Sequence, residues 1–170
     1  MGGVTFSLDD LLVGRAYDGG GWVGTEAWMA RGVWPAGLHN PWPWPDSALE
    51  LRSRVEDQLI SSPRIVEVEF GAAYTGSNGR QPTLRRMASN GRVADAVLIA
   101  GVEAIAASAG SRWLWVDGAA AFVLADDGKA VGVLAPRVRD QDDDGELHLP
   151  ASLPVKGERV TASHLLGGGR

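Results

Sequence analysis

A chain of 170 residues with no cysteine and a formal net charge of −5 has the length of one domain and lacks the thiols that disulfide scaffolds, thiolate zinc sites and cysteine nucleophiles require. Hydrophobic residues make up 45% and charged residues 22%, a globular balance. No apolar run reaches the roughly 18–20 residues that span a bilayer, and the N-terminus lacks the charged-then-apolar layout of a secretion signal, so the expectation is a cytoplasmic protein with no membrane partner.

Val4-Thr5-Phe6 opens with a β-like pattern, and Ser7 is placed to cap a short helix through Leu8, Leu11 and Leu12, with Asp9 and Asp10 in its first turn. Gly19-Gly20-Gly21 breaks the chain before a predicted strand from Trp22 to Met29. Between Trp34 and Pro45 four prolines remove backbone donors and favour extended polyproline geometry. Ser47 and Glu50 have capping-box spacing, and Ala48, Leu51, Val55 and Leu59 then recur at helical intervals, which predicts an amphipathic helix ended by Ser61-Ser62-Pro63. Ile65 to Phe70 alternates apolar and acidic residues, the mark of a half-buried strand, and Thr75 to Gly79 reads as a loop.

Residues 93–109 are apolar on nearly every side, a pattern for a core helix stopped by Gly110. Trp113 to Val116 reads as a strand. Ala121–Ala125 and Ala130–Leu134 flank Asp126-Asp127-Gly128-Lys129, a hairpin signal. Together these predict an α+β fold, an antiparallel sheet packed on one buried and one surface helix. The expected organisation is a single domain over residues 1–140, then an acidic loop and C-terminal extension over 141–170 that ends in a frayed tail.

Three features are candidates for chemistry. Asp140, Asp142 and Asp144, followed by Gly145 and Leu147, reproduce the first half of a calcium loop, in which a glycine turn lets alternate carboxylates converge on a hard cation. The second half departs from that pattern, with Ala151 where a bidentate glutamate belongs, so any Ca2+ site here is expected to be weak and a solvated acidic loop is the alternative. Trp42-Pro43-Trp44-Pro45 holds two indoles on a stiff backbone, suited either to docking a partner or to covering the core. Arg80, Arg85, Arg86 and Arg92 form the one basic stretch; four arginines are a thin footprint for phosphates, and direct DNA contact is not expected. His39, His148 and His164 are widely separated and stand in no metal or nucleophile motif.

Asn90-Gly91-Arg92-Val93-Ala94-Asp95-Ala96-Val97-Leu98, Trp113-Leu114-Trp115-Val116, Ala121-Phe122-Val123-Leu124 and Val131-Gly132-Val133-Leu134-Ala135-Pro136-Arg137 follow one another as a helix and three strands. That succession resembles the closing half of one lobe of the DNA polymerase III β sliding clamp, and Gly21 to Trp28 is similar to an earlier strand of the same family. The methionines that flank the family's proline are missing on both sides of Pro136. The resemblance implies a clamp-lobe-like fold and a non-enzymatic scaffold that binds a protein partner or itself, linked to DNA replication or a mobile element. It points to Leu134, Pro136 and Val138 as a partner-binding strand, beside Trp42 and Trp44. The alternative function is a divalent-metal-dependent hydrolase or nuclease that uses the acidic loop.

Overall fold

The stretch from Trp22 to Met29 folds as two strands, because its polar middle turns back on itself. In the computed structural model, which describes residues 8–12, 14–33, 40–61, 64–76 and 82–137, Thr25 N–H donates to the Trp28 carbonyl at 2.8 Å. The Thr25 hydroxyl accepts from Ala27 N–H at 3.1 Å, the local bonding by which a threonine favours a turn over a continuing strand. In chain order the elements are α1 (Leu8–Leu11), β1 (Tyr17–Gly19), β2 (Trp22–Gly24), β3 (Trp28–Arg31), α2 (Asp46–Ser61), β4 (Ile65–Glu67), β5 (Tyr74–Gly76), β6 (Thr83–Met87), β7 (Val93–Asp95), α3 (Ala96–Ala106), β8 (Ser111–Val116), β9 (Ala121–Asp126) and β10 (Lys129–Leu134). A single 3₁₀ turn, Asp117–Ala119, joins β8 to β9.

The architecture is α+β, with a large antiparallel sheet and a smaller one among the described residues. The chain divides into two compact units, one built from residues up to 67 together with 97–135, the other from 68–96 with Pro136 and Arg137. In the first unit the strands lie in the order β1-β2-β3-β10-β9-β8-β4. Its centre is the β9–β10 hairpin. Asp127 and Gly128 both take left-handed backbone, with φ of 56° and 78°, as a type I′ turn needs.

Alternate residues along these strands serve opposite faces of the sheet. On one face Met29, Ala121, Val123 and Val133 join Tyr17, Trp22, Trp44 and Val55 in a single cluster, with Ala48, Leu51 and Leu59 of α2 packed against it. Only Val55 of α2 is fully buried, which fits a surface helix laid on by one narrow stripe. The other face carries α3, whose Ile99, Gly101 and Val102 are buried. Trp113 Nε1 donates to Glu103 Oε2 of α3 at 2.7 Å. A side chain at Gly132 would begin 2.6 Å from Val102 Cγ1, so glycine there lets helix and sheet approach.

The second unit holds the β5-β6-β7 sheet. Tyr74, Met87 and Val93 form its core, and Gly91, with φ of 88°, completes the turn between β6 and β7. Arg85 is 1% exposed, directly opposite Asp95 in the β6–β7 ladder, with its Nε donating to Thr83 Oγ1 at 3.2 Å. Arg86 is spent on backbone: Nε donates to the Gly71 carbonyl at 2.7 Å and Nη2 to the Phe70 carbonyl at 3.1 Å. No helix among the described residues is long and apolar enough to cross a membrane.

Candidate functional site

Where the first turns of α2 meet the sheet in the first unit, the packing leaves a cavity of about 330 Å3. Five pieces of chain converge on it: Tyr17 of β1, the Thr25–Ala27 turn with the start of β3, the Trp44-Pro45 approach with the first turns of α2, the end of the 3₁₀ turn with the start of β9, and the end of β10. Six of the lining residues are alanines (Ala27, Ala48, Ala119, Ala120, Ala121 and Ala135), and this is the physical origin of the space. Ala121 alone of the six is buried, Ala27, Ala48 and Ala119 are partly exposed, and Ala120 and Ala135 are exposed, so the short side chains leave an open concavity that larger ones would fill.

Aromatic side chains supply much of the remaining wall. Tyr17, Trp28 and Trp44 all line the cavity, and Tyr17 and Trp44 are stacked with centroids 5.0 Å apart and planes 25° from parallel. Both indole N–H groups are committed elsewhere, Trp28 Nε1 to the Leu11 carbonyl at 2.9 Å and Trp44 Nε1 to the Trp22 carbonyl at 3.0 Å. The rings are therefore fixed in place by their polar edges and lend the cavity their apolar surface.

Glu26 is the one charged residue in the lining. The Tyr17 hydroxyl donates to its Oε2 at 3.2 Å. On the other side the carboxylate lies against Gly14, whose backbone has a φ of 108° and where a Cβ would collide with Glu26 Oε1. Phenol and glycine together hold the carboxylate at an exposed rim, with apolar wall behind it. Such a site, an apolar concavity with a few convergent polar groups, has the form of a small-ligand pocket and lies at the small end of their size range.

The structure separates the residues singled out from the sequence. Trp44 is buried in the cavity wall and Trp42 is 51% exposed, two residues apart on a segment that bonds along β1 through Trp42 N–H to the Ala16 carbonyl (2.9 Å) and Asp18 N–H to the Trp42 carbonyl (3.0 Å). The Trp/Pro segment thus covers the core with one indole and presents the other, over which the Arg15 guanidinium sits at 4.0 Å. Leu134 is 0% exposed, in the middle of the sheet, where its backbone pairs with Trp28 and Phe122. Pro136 is half-buried and Arg92 is exposed. Arg80, Val138, Asp140, Asp142, Asp144 and the three histidines lie outside the described residues.

Tyr17, Glu26, Trp28 and the alanines were not among the residues that sequence reasoning selected. One signal for Glu26 was present: Gly24-Thr25 in mid-strand marks a turn, and a carboxylate on a turn at a sheet end is well placed to meet a ligand. No family model matches the chain, and comparisons with curated proteins and with solved structures give no match.

Proposed function

We propose that this chain is a non-enzymatic binding module that takes an apolar group of a small ligand into the cavity between α2 and the sheet. The observation that carries the reading is the wall: six alanines and three aromatic side chains around about 330 Å3, with a single charged residue at the rim. The polar groups are arranged to orient a guest more than to activate one, since the Thr25 hydroxyl is bonded to Ala27 N–H and the Tyr17 hydroxyl to Glu26. Ala48→Leu tests the reading directly. Filling empty space stabilises a fold by roughly 0.5–2 kcal/mol, so this variant melts higher than the parent and no longer responds to toluene or indole, which raise the parent's melting temperature. A parent indifferent to both fragments, with an Ala48→Leu variant that melts lower, would remove the cavity as a binding site.

Trp42 favours a second reading, a scaffold that docks a protein partner. A half-exposed indole with an arginine stacked on it is the type of anchor that interfaces concentrate. The clamp-lobe resemblance supports the same reading, with a replication-linked partner or a second copy of the chain as the occupant. Light scattering of the purified chain at two ionic strengths separates self-association from a strict monomer.

A further inference from the structure

The cavity has a chemical polarity as well as a shape. Its buried lining is aromatic and aliphatic apart from Thr25, whose hydroxyl accepts from Ala27 N–H, and its one charged residue is Glu26. A carboxylate beside aromatic side chains is the arrangement that recognises organic cations, because the ring quadrupole and the formal charge attract the same head group. Tyr17 contributes twice, since its ring stacks on Trp44 while its hydroxyl fixes Glu26 Oε2 at 3.2 Å. An opposing influence comes from the first turn of α2, which borders the same space through Ser47 and Ala48, because a helix N-terminus favours anions. Asp46 already stands in that turn, placing a negative charge where the dipole would otherwise draw one from a ligand. The net preference is cationic.

Building on the small-ligand reading of the cavity, we infer that its ligand is a primary or substituted amine carried on a compact apolar or aromatic body, with the body among the alanines and rings and the ammonium at Glu26.

Three probes of one shape test this: phenethylamine, phenethyl alcohol and hydrocinnamate share a phenyl ring and differ in the head group, cationic, neutral or anionic. Each is titrated into the full chain and followed through the indole N–H signals of Trp28 and Trp44 by nitrogen-15 NMR. The expected result is that the amine binds about fivefold or more tighter than the alcohol, a modest ratio because the carboxylate is exposed to solvent. Glu26→Gln brings the ratio of amine to alcohol to about one, and Glu26→Lys makes hydrocinnamate the tightest of the three. Tyr17→Phe keeps the charge and releases the carboxylate, which reduces the ratio without abolishing it. Equal binding of amine and alcohol by the parent leaves the cavity reading in place and overturns the amine inference. Tighter binding of hydrocinnamate by the parent does the same and assigns the site to the helix terminus. If none of the three binds while Ala48→Leu melts lower than the parent, both readings fall together.

Discussion

Trp44 stacks on Tyr17 with ring centroids 5.0 Å apart and donates its indole N–H to the Trp22 carbonyl at 3.0 Å. One side chain thereby ties the proline-rich segment to both β1 and β2 and closes one wall of the cavity. Trp42, two residues earlier, is half exposed, with the Arg15 guanidinium 4.0 Å over its ring. Trp44→Ala is expected to cost about 3–5 kcal/mol, the range for truncating a buried aromatic side chain. Trp42→Ala forfeits an exposed cation–π contact of roughly 0.5–1 kcal/mol. Urea denaturation followed by far-UV circular dichroism distinguishes the two, and equal losses would contradict this division of labour.

Gly101 sets two known effects against each other. Alanine is a better helix former than glycine by about 0.8–1.0 kcal/mol, so Gly101→Ala in mid-α3 would stabilise an isolated helix. In the fold a Cβ at this position overlaps Leu11 Cδ2, and Leu11 is 0% exposed, so it has no solvent to swing into. Overpacking of this kind costs about 1–3 kcal/mol, so the steric term wins and the variant melts lower than the parent. Pairing it with Leu11→Ala should cost less than the sum of the two single losses, because residues in contact couple non-additively. A Gly101→Ala variant that melts higher than the parent would show that Leu11 yields without cost.

The parts of the fold that were legible in the sequence are those fixed by local chemistry. Asp127-Gly128 specified the hairpin because a type I′ turn demands positive φ at both positions. The spacing of Ala48, Leu51, Val55 and Leu59 specified α2, which begins at Asp46, one residue before the cap that the sequence suggested. Where partners lie far along the chain, the pattern was ambiguous. Val93–Asp95 reads as the opening of an apolar helix, yet pairs with Met87, Arg86 and Arg85 as a strand, because an apolar run buried on both sides has no period that tells helix from strand. Val66 to Phe70 alternates apolar and acidic, but the ladder, on β8, takes only Ile65–Glu67, and Phe70 makes a single bridge to Ala88. The cavity had no sequence signal of its own. Ala27, Ala48, Ala121 and Ala135 come from four separate parts of the chain, and an alanine looks the same in a chain whether its neighbours close over it or leave a gap.

Arg85 and Arg92 belong to one basic stretch in the sequence but have different physical roles. Arg85 is 1% exposed between strands of the small sheet, with its stem so close to Gly76 that a Cβ there would begin 2.7 Å from the guanidinium carbon. A buried guanidinium in place is part of the packing, and its removal leaves both a void and the polar groups that faced it. Arg85→Ala should therefore cost about 3–5 kcal/mol, as when one partner of a buried polar arrangement is deleted. Arg92 is exposed beyond the turn between β6 and β7, and Arg92→Ala should stay within about 0.5 kcal/mol of the parent. Hydrogen exchange at Tyr74, Met87 and Val93 reads the small sheet specifically, with faster exchange expected for Arg85→Ala and parental rates for Arg92→Ala. The same pair addresses phosphate binding. A protein that used this stretch to neutralise phosphates would lose about one unit of salt slope for each arginine removed. If Arg85→Ala lowered that slope while the small sheet kept its parental exchange rates, Arg85 would be a phosphate ligand and its burial would have to open on binding; the packing around Gly76 argues that the sheet loosens first.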